Sequence, residues 1–290
     1  MSVQNVKINF QNSLRVVGKG IWRDLVNIRR YRMRLIGWLL NMMIGLGAAY
    51  IFGVILNFNS ISASETGISY NQVFVFFAGG IALSTFGDAA IWTPMGRVSQ
   101  DIHYGTLEAV FVTPTSRMAY LLAPILSDSI LNILFFIPAY TIILGVHGAL
   151  TNFYIIGTTI LIVMLTICSM IAFGLFFAML AILIRKIDPV AIFLNNIFQF
   201  ICGAFVPVQA FIGMSKYGGP VLKYIAQIFP YTYCYDLFRF YMFGPSYITL
   251  LPVWLEFVLL VVSSLFFVVL AYFLLKKVEK KAKKTGLSIL

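Results

Sequence analysis

"TNFYIIGTTILIVMLTICSMIAFGLFFAMLAILI", Thr151–Ile184, is a long apolar run without a single acidic or basic side chain. A helix needs roughly 20 apolar residues to cross the hydrocarbon core of a bilayer, and this run is longer. We therefore expect a transmembrane helix that is tilted or extends beyond the membrane.

The composition of the whole chain agrees with this stretch. Of its 290 residues, 60% are hydrophobic and 11% are charged. Soluble domains have about a quarter charged residues, so the bilayer is the expected solvent for this chain. The three cysteines are widely spaced and form no metal or redox motif, so we interpret them as packing residues.

The apolar runs predict an all-α polytopic membrane protein with six transmembrane helices. They are too long, and lack the alternation, for strands of a barrel. We expect one transmembrane domain over residues 1–290, with an N-terminal segment at 1–34, a membrane region at 35–275 and a basic tail at 276–290. The six predicted spans are Leu35–Leu56, Gln72–Trp92, Ala119–Val146, Thr151–Ile184, Pro189–Phe211 and Leu250–Leu275.

Lysine and arginine are distributed unevenly over the connections between these spans. Eight of the 21 lie in residues 1–34, two in each of the connections after the second and fourth spans, and six in the tail. These eighteen share one side of the membrane. The positive-inside rule therefore predicts that both termini lie in the cytoplasm. The membrane we expect for this chain is the plasma membrane. The net charge of +11 indicates topology and contact with lipid headgroups rather than nucleic acid.

The segment "KGIWRDLVNIRRYRMR", residues 19–34, precedes the first span. Its apolar residues Ile21, Trp22, Leu25 and Val26 fall at helical spacing, and arginines occupy other positions around the helix. A basic amphipathic helix with a tryptophan on its apolar side is suited to the membrane interface. A simple topogenic charge cluster is the alternative, and the two interpretations are compatible.

The connection between the second and third spans is too long for a minimal turn. Pro94 and Gly96 predict the end of the second span. Residues 98–112 then fit a short helix interrupted at Gly105, and Ser116 is placed to cap the third span. From the residues alone, a solvated cytoplasmic loop is an equally good interpretation.

"GTLEAVFVTPTS", Gly105–Ser116, resembles the cytoplasmic segment of the membrane subunits of ABC exporters of the second type. That family includes drug, polysaccharide, sodium and lipid-linked-glycan exporters. Its pattern has an arginine, then Gly-Thr-Leu-Glu, a short apolar stretch and Thr-Pro. His103 and Tyr104 depart from the Glu-Arg or Glu-Lys that often precedes the glycine.

A second region carries the same resemblance. "GAFVPVQAFIG" at Gly203–Gly213 and "IFPYTYCYDLFR" at Ile228–Arg239 resemble the partly re-entrant external region before the sixth span of that family. Within it, Asp236 and Arg239 lie at i and i+3, a spacing at which side chains on a helix can pair.

The resemblance implies that the cytoplasmic segment 97–116 couples the spans to a separate ATPase. This chain has no Gly-x-x-x-x-Gly-Lys-Ser/Thr motif, so ATP and Mg²⁺ are expected on that partner, and no cofactor on this chain. The resemblance also implies pairing with a second copy or a related permease. The residues assigned to coupling are Arg97, Gly105, Thr106, Leu107, Glu108, Thr113 and Pro114.

Polar residues within the spans are candidates for function because they are costly in lipid. Asp88 and Asp128 are the intramembrane acids. The alternative is that each lies near the end of its span, where water reaches it. Asn132 shares a helix face with Asp128. In the resembled family the second and fifth spans face the conduit, although ordinary helix packing is equally compatible. By that analogy the pathway residues are Phe74, Phe77, Asn195, Phe198 and Gln199.

The sequence therefore predicts the permease subunit of an ATP-driven exporter that moves an amphipathic or lipid-like substrate out of the cytoplasm. We expect no catalytic residues and no metal site in this chain. An ion- or proton-coupled secondary transporter using an intramembrane aspartate is the alternative, but such carriers usually show internal repeats that this chain lacks. A membrane enzyme acting on lipid would need a catalytic constellation, and none is found.

Overall fold

The computed structural model describes residues 10–30, 32–55, 72–106, 113, 116–183, 188–214 and 218–285. Within these ranges the chain is helical and has no strand, which confirms the all-α prediction. Two short 3-10 helices are described, Val208–Ala210 and Gly244–Ser246. The α-helices are α1 (Phe10–Arg30), α2 (Arg32–Ile55), α3 (Val73–His103), α4 (Arg117–His147), α5 (Phe153–Leu183), α6 (Asp188–Ile201), α7 (Phe211–Met214), α8 (Gly218–Ala226), α9 (Pro230–Phe243) and α10 (Val253–Thr285).

Four of the described helices are long and apolar enough to cross a membrane. These are α3, α4, α5 and the Val253–Val278 part of α10. A bent pair, Gln11–Arg30 and Leu35–Ile51, raises the number to five if it counts as one span; its axes differ by 84°. The predicted count of six spans is therefore not confirmed among the described residues.

The predicted fifth span, Pro189–Phe211, is wrong as a single helix. α6 ends at Ile201, and a turn precedes the 3-10 segment and α7. The backbone at Gly203 has a φ of 94°, which an α-helix does not allow and which glycine adopts without strain. This apolar region therefore folds into a short helix followed by turns, not into one membrane-spanning helix.

The predicted end of the second span at Pro94 and Gly96 is also wrong, because α3 continues through both residues to His103. Proline lacks an N–H group, so Pro94 leaves the carbonyl of Ala90 without its helical donor. α5 approaches closely here: a Cβ on Gly174 would lie 3.0 Å from that carbonyl oxygen. Proline is tolerated in membrane helices where neighbouring elements satisfy or cover the freed group.

α3 and α5 form the centre of the fold. α3 packs against α2, α4 and α5, and α5 also packs against α9 and α10. Phe173 of α5 lies at the middle of an aromatic cluster. Its ring centroid is 5.0 Å from Phe177, 5.4 Å from Phe198 of α6 and 4.8 Å from Phe267 of α10. This cluster joins α5 to the next helix in the chain, α6, and to α10, which is distant in sequence.

α1 begins well before the predicted amphipathic segment and packs along α4. The contact is tight, since a Cβ on Gly20 would lie 2.4 Å from the Cβ of Ala123. Trp22 and Val26 remain exposed, at 72% and 40%. The helix is confirmed, and its location in the membrane interface stays a prediction.

Gly80 provides a test of how closely α3 packs. A Cβ on Gly80 would lie 1.9 Å from the carbonyl oxygen of Ala204, just after α6. Overpacking of this kind costs about 1–3 kcal/mol, so Gly80→Ala should lower the midpoint of thermal unfolding in detergent by about 3–10 °C.

Gly96→Ala is the matched control, because Gly96 lies on the same helix with nothing within 4 Å of an added Cβ. It should leave the midpoint unchanged or raise it slightly, since alanine favours a helix. Equal midpoints for the two variants would contradict the close packing of α3.

Candidate functional site

A cavity of about 1860 Å³ runs along α3. Its lining residues on this helix include Phe77 and Gln100, which are separated by a rise of about 35 Å; the hydrocarbon core of a bilayer is about 30 Å thick. Pockets that hold one small ligand usually measure about 300–1,000 Å³. The cavity therefore has the length of a membrane conduit and more room than a single-ligand pocket.

Two carboxylates line the cavity near its middle, Asp88 on α3 and Asp128 on α4. Asp88 Oδ1 accepts hydrogen bonds from Asn195 Nδ2, at 2.8 Å, and from Gln199 Nε2. The prediction that these two amides share a face of α6 is confirmed, because both reach one carboxylate oxygen. Neither amide residue lines the cavity itself.

The polar face of α4 is also turned toward α3. Thr93 Oγ1 donates a hydrogen bond to Asp128 Oδ2, and Asn132 Nδ2 donates to the carbonyl of Thr85 at 3.3 Å. Asp128 and Asn132 both line the cavity, so the prediction that they share a helix face is confirmed. Two layers of polar contact thus join α4 to α3 inside the spans.

The three phenylalanines predicted to line the substrate pathway lie in different parts of the structure. Phe77 lines the cavity, whereas Phe74 packs edge-on against Tyr50 at 6.1 Å. Phe198 belongs to the aromatic cluster around α5, with its ring 4.5 Å from that of Phe229. A role of the five predicted residues in substrate passage stays a prediction.

The C-terminal end of α3 carries the first part of the predicted coupling segment. Arg97 Nε forms an ion pair with Asp101 Oδ2 at 3.2 Å, and Thr106 Oγ1 donates to Asp101 Oδ1 at 2.8 Å. Gly105 has a φ of 68°, the left-handed conformation that commonly ends helices. Asp101 therefore connects the last turn of α3 to the residues that follow it.

Sequence reasoning missed Asp101, although its i, i+4 spacing from Arg97 was a usable signal. Of the other predicted coupling residues, Thr113 is exposed. Leu107, Glu108 and Pro114 lie outside the described residues. The predicted cap at Ser116 is confirmed, because its Oγ accepts a hydrogen bond from the N–H of Ala119 at 3.3 Å.

At the opposite end of the fold, Asp236 of α9 organises the chain between α6 and α10. Its carboxylate accepts hydrogen bonds from Gln209 Nε2 at 2.9 Å, Tyr247 OH at 2.6 Å and the N–H of Leu250 at 2.6 Å. Burial raises the pKa of Tyr247 well above its ordinary value, so this hydroxyl keeps its proton and acts as the donor. Three separate chain segments are therefore tied to one buried carboxylate.

The predicted local pair between Asp236 and Arg239 is wrong. Arg239 Nη2 donates to the carbonyl of Ala204 at 2.9 Å, and its guanidinium lies over the ring of Phe76 with 3.6 Å to the centroid. Burial lowers the pKa of Arg239 from its ordinary value. Arg239 therefore joins α9 to α3 and to the turn after α6. The carboxylate of Asp236 instead accepts hydrogen bonds from Gln209, Tyr247 and Leu250.

Several membrane-length helices around an elongated cavity define a multi-pass membrane protein with the architecture of a transport component. The family model described as ABC-2 type transporter matches residues 19–243, and the chain belongs to this family. The matched range contains most of α1, all of α2 to α9 and the cavity between them. The chain is therefore a permease component of an ABC-2 type transporter, which transports rather than catalyses. No curated protein matches it.

The contact between α6 and Asp88 gives the second test. Asn195→Leu removes one of two amide donors from a carboxylate inside the spans, while Gln199 still donates to the same oxygen. The loss of one such hydrogen bond costs about 0.5–1.5 kcal/mol. We expect the midpoint of thermal unfolding to be lower than in the parent. It is measured by size-exclusion chromatography of samples heated to a series of temperatures.

Asn196→Leu is the control, since the adjacent asparagine is exposed. It carries the same change in side chain on the same helix. A loss of stability that is as large for this variant would show that the bond to Asp88 contributes nothing specific.

Proposed function

We propose that this chain is the membrane subunit of an ATP-driven exporter. It moves an amphipathic or lipid-like substrate out of the cytoplasm through the cavity along α3. The observation that carries the proposal is the position of this cavity: it follows one helix for the thickness of a bilayer and ends beside the segment Arg97–Thr106. A movement of that segment acts directly on the helix that lines the conduit.

ATP is hydrolysed by a separate cytoplasmic subunit, since this sequence has no phosphate-binding loop. That subunit docks on residues 97–116, where the Asp101 contacts hold the end of α3 in a defined shape. Both termini face the cytoplasm of the plasma membrane, and α1 lies in the interface with Trp22 toward lipid. A second copy of the chain, or a related permease, completes the conduit.

Glu108 is the residue whose charge we would reverse first. Glu108→Arg places a cation where the ATPase is expected to contact a carboxylate, and such a reversal at an interface costs about 2–5 kcal/mol. The complex purified through a tag on this chain should contain an ATPase. In proteoliposomes the variant should lose ATP-dependent efflux of amphipathic dyes while it elutes from size exclusion like the parent.

Lys277→Glu is the control, because it reverses one charge in the basic tail, outside the coupling segment. It should leave efflux unchanged. Normal efflux by the Glu108→Arg complex would refute the coupling role, and purification of an active transporter without any ATPase would refute the proposed function itself.

A further inference from the structure

The cavity contains a carboxylate that lacks a basic partner among the described residues. Asp88 lies at the middle of α3 and lines the cavity. Its hydrogen bonds come from the neutral amides of Asn195 and Gln199, and no lysine or arginine of the described ranges forms an ion pair with it. Both amide bonds end on Oδ1, so neither occupies Oδ2. Such a group inside a span is a functional candidate because its isolation from water is costly.

The basic side chain that lines the cavity within the described ranges already forms an ion pair with another residue. Arg97 is the one basic side chain among the described lining residues, and it forms the ion pair with Asp101. It lies nine positions after Asp88, a distance of about 14 Å along the helix axis. Asp24, another carboxylate that lines the cavity, is paired with its neighbour Arg23 at 3.0 Å. A positive group that enters the cavity therefore meets no competing cation at Asp88.

The walls around Asp88 combine polar side chains, among them Thr93 and Asp128, with aromatic and apolar ones. Trp92 follows it by four residues, so both side chains lie on one face of α3, and Trp92 is 37% exposed. The remaining aromatic residues that line the cavity within the described ranges are Trp38, Phe77, Tyr104, Phe135, Phe200 and Phe205. A cation is attracted to the face of an aromatic ring, most strongly to tryptophan. Carboxylate and indole together therefore favour a cation that also carries an apolar body.

A bare metal ion fits this environment poorly. Calcium takes six to eight oxygen ligands, and magnesium needs a near-ideal octahedron. Among the described residues, no group of three or more His, Cys, Asp or Glu is placed to hold a metal. The volume of about 1860 Å³ also suits a bulky molecule.

From these contacts we propose that the cavity binds an organic monocation with an aromatic or apolar body, with its positive centre between Asp88 Oδ2 and the ring of Trp92. This inference rests on the proposed export function and specifies its substrate class. The amides of Asn195 and Gln199 orient the carboxylate, and the aromatic walls hold the apolar body.

The test uses two probes of nearly the same size and shape but opposite charge. Radiolabelled tetraphenylphosphonium is added to the full-length chain in lipid nanodiscs, and only the binding displaced by excess unlabelled tetraphenylphosphonium is counted. Radiolabelled tetraphenylborate is measured in separate samples, because the two ions precipitate as a salt when they are mixed. We expect saturable binding of the cation that the unlabelled cation abolishes, and no saturable binding of tetraphenylborate.

Asp88→Asn removes the charge but keeps an oxygen that accepts from both amides, and it should weaken binding by about tenfold or more. Asp24→Asn is the matched control, with the same change at a carboxylate already paired with Arg23, and it should bind like the parent. Trp92→Leu should weaken binding by about threefold or more, which keeps the proposal testable if Asp88→Asn does not fold.

Absence of saturable binding, or equal affinity in the parent and in the folded Asp88→Asn and Trp92→Leu variants, would overturn the cation site. Saturable binding of tetraphenylborate with an affinity equal to that of the cation would do the same. Because this assay contains no ATPase, its failure is distinct from that of the export function, which is decided by the ATPase complex and the Glu108→Arg measurement.

Discussion

The continuity of α3 through Pro94 is the constraint on which the rest of the structure depends. One 31-residue helix carries the tight packing at Gly80, the carboxylate of Asp88 and the ion pair of Arg97 with Asp101. A break at Pro94 would separate Asp88 from the ion pair of Arg97 with Asp101. Because the helix is unbroken, its last turn and the wall of the cavity belong to one continuous element.

The helix remains unbroken because its neighbours cover what proline exposes. The carbonyl of Ala90 loses its helical donor, but α5 comes close to it at Gly174. Polar contacts then reinforce α3 on two sides, from α6 at Asp88 and from α4 at Thr93 and Thr85. These contacts lie inside the spans, where water does not compete strongly for the same donors and acceptors.

The two ends of the protein are built differently. At the C-terminal end of α3, Asp101 joins residues within one stretch of chain, Arg97 and Thr106. At the other end, Asp236 and Arg239 join segments far apart in sequence, including Gln209, Leu250 and the turn at Ala204. The first arrangement fixes the conformation of one local stretch, whereas the second holds several separate segments together.

The sequence by itself determined the helical membrane class, the cap at Ser116 and the shared faces of Asn195 with Gln199 and of Asp128 with Asn132. These follow from local periodicity, composition and turn chemistry, which do not depend on distant neighbours. Only the tertiary structure decided that α3 passes through Pro94, that α6 stops at Ile201 and that Arg239 binds Ala204 rather than Asp236. Each of these outcomes depends on which backbone or carboxylate group a distant element brings into reach, and no local pattern contains that information.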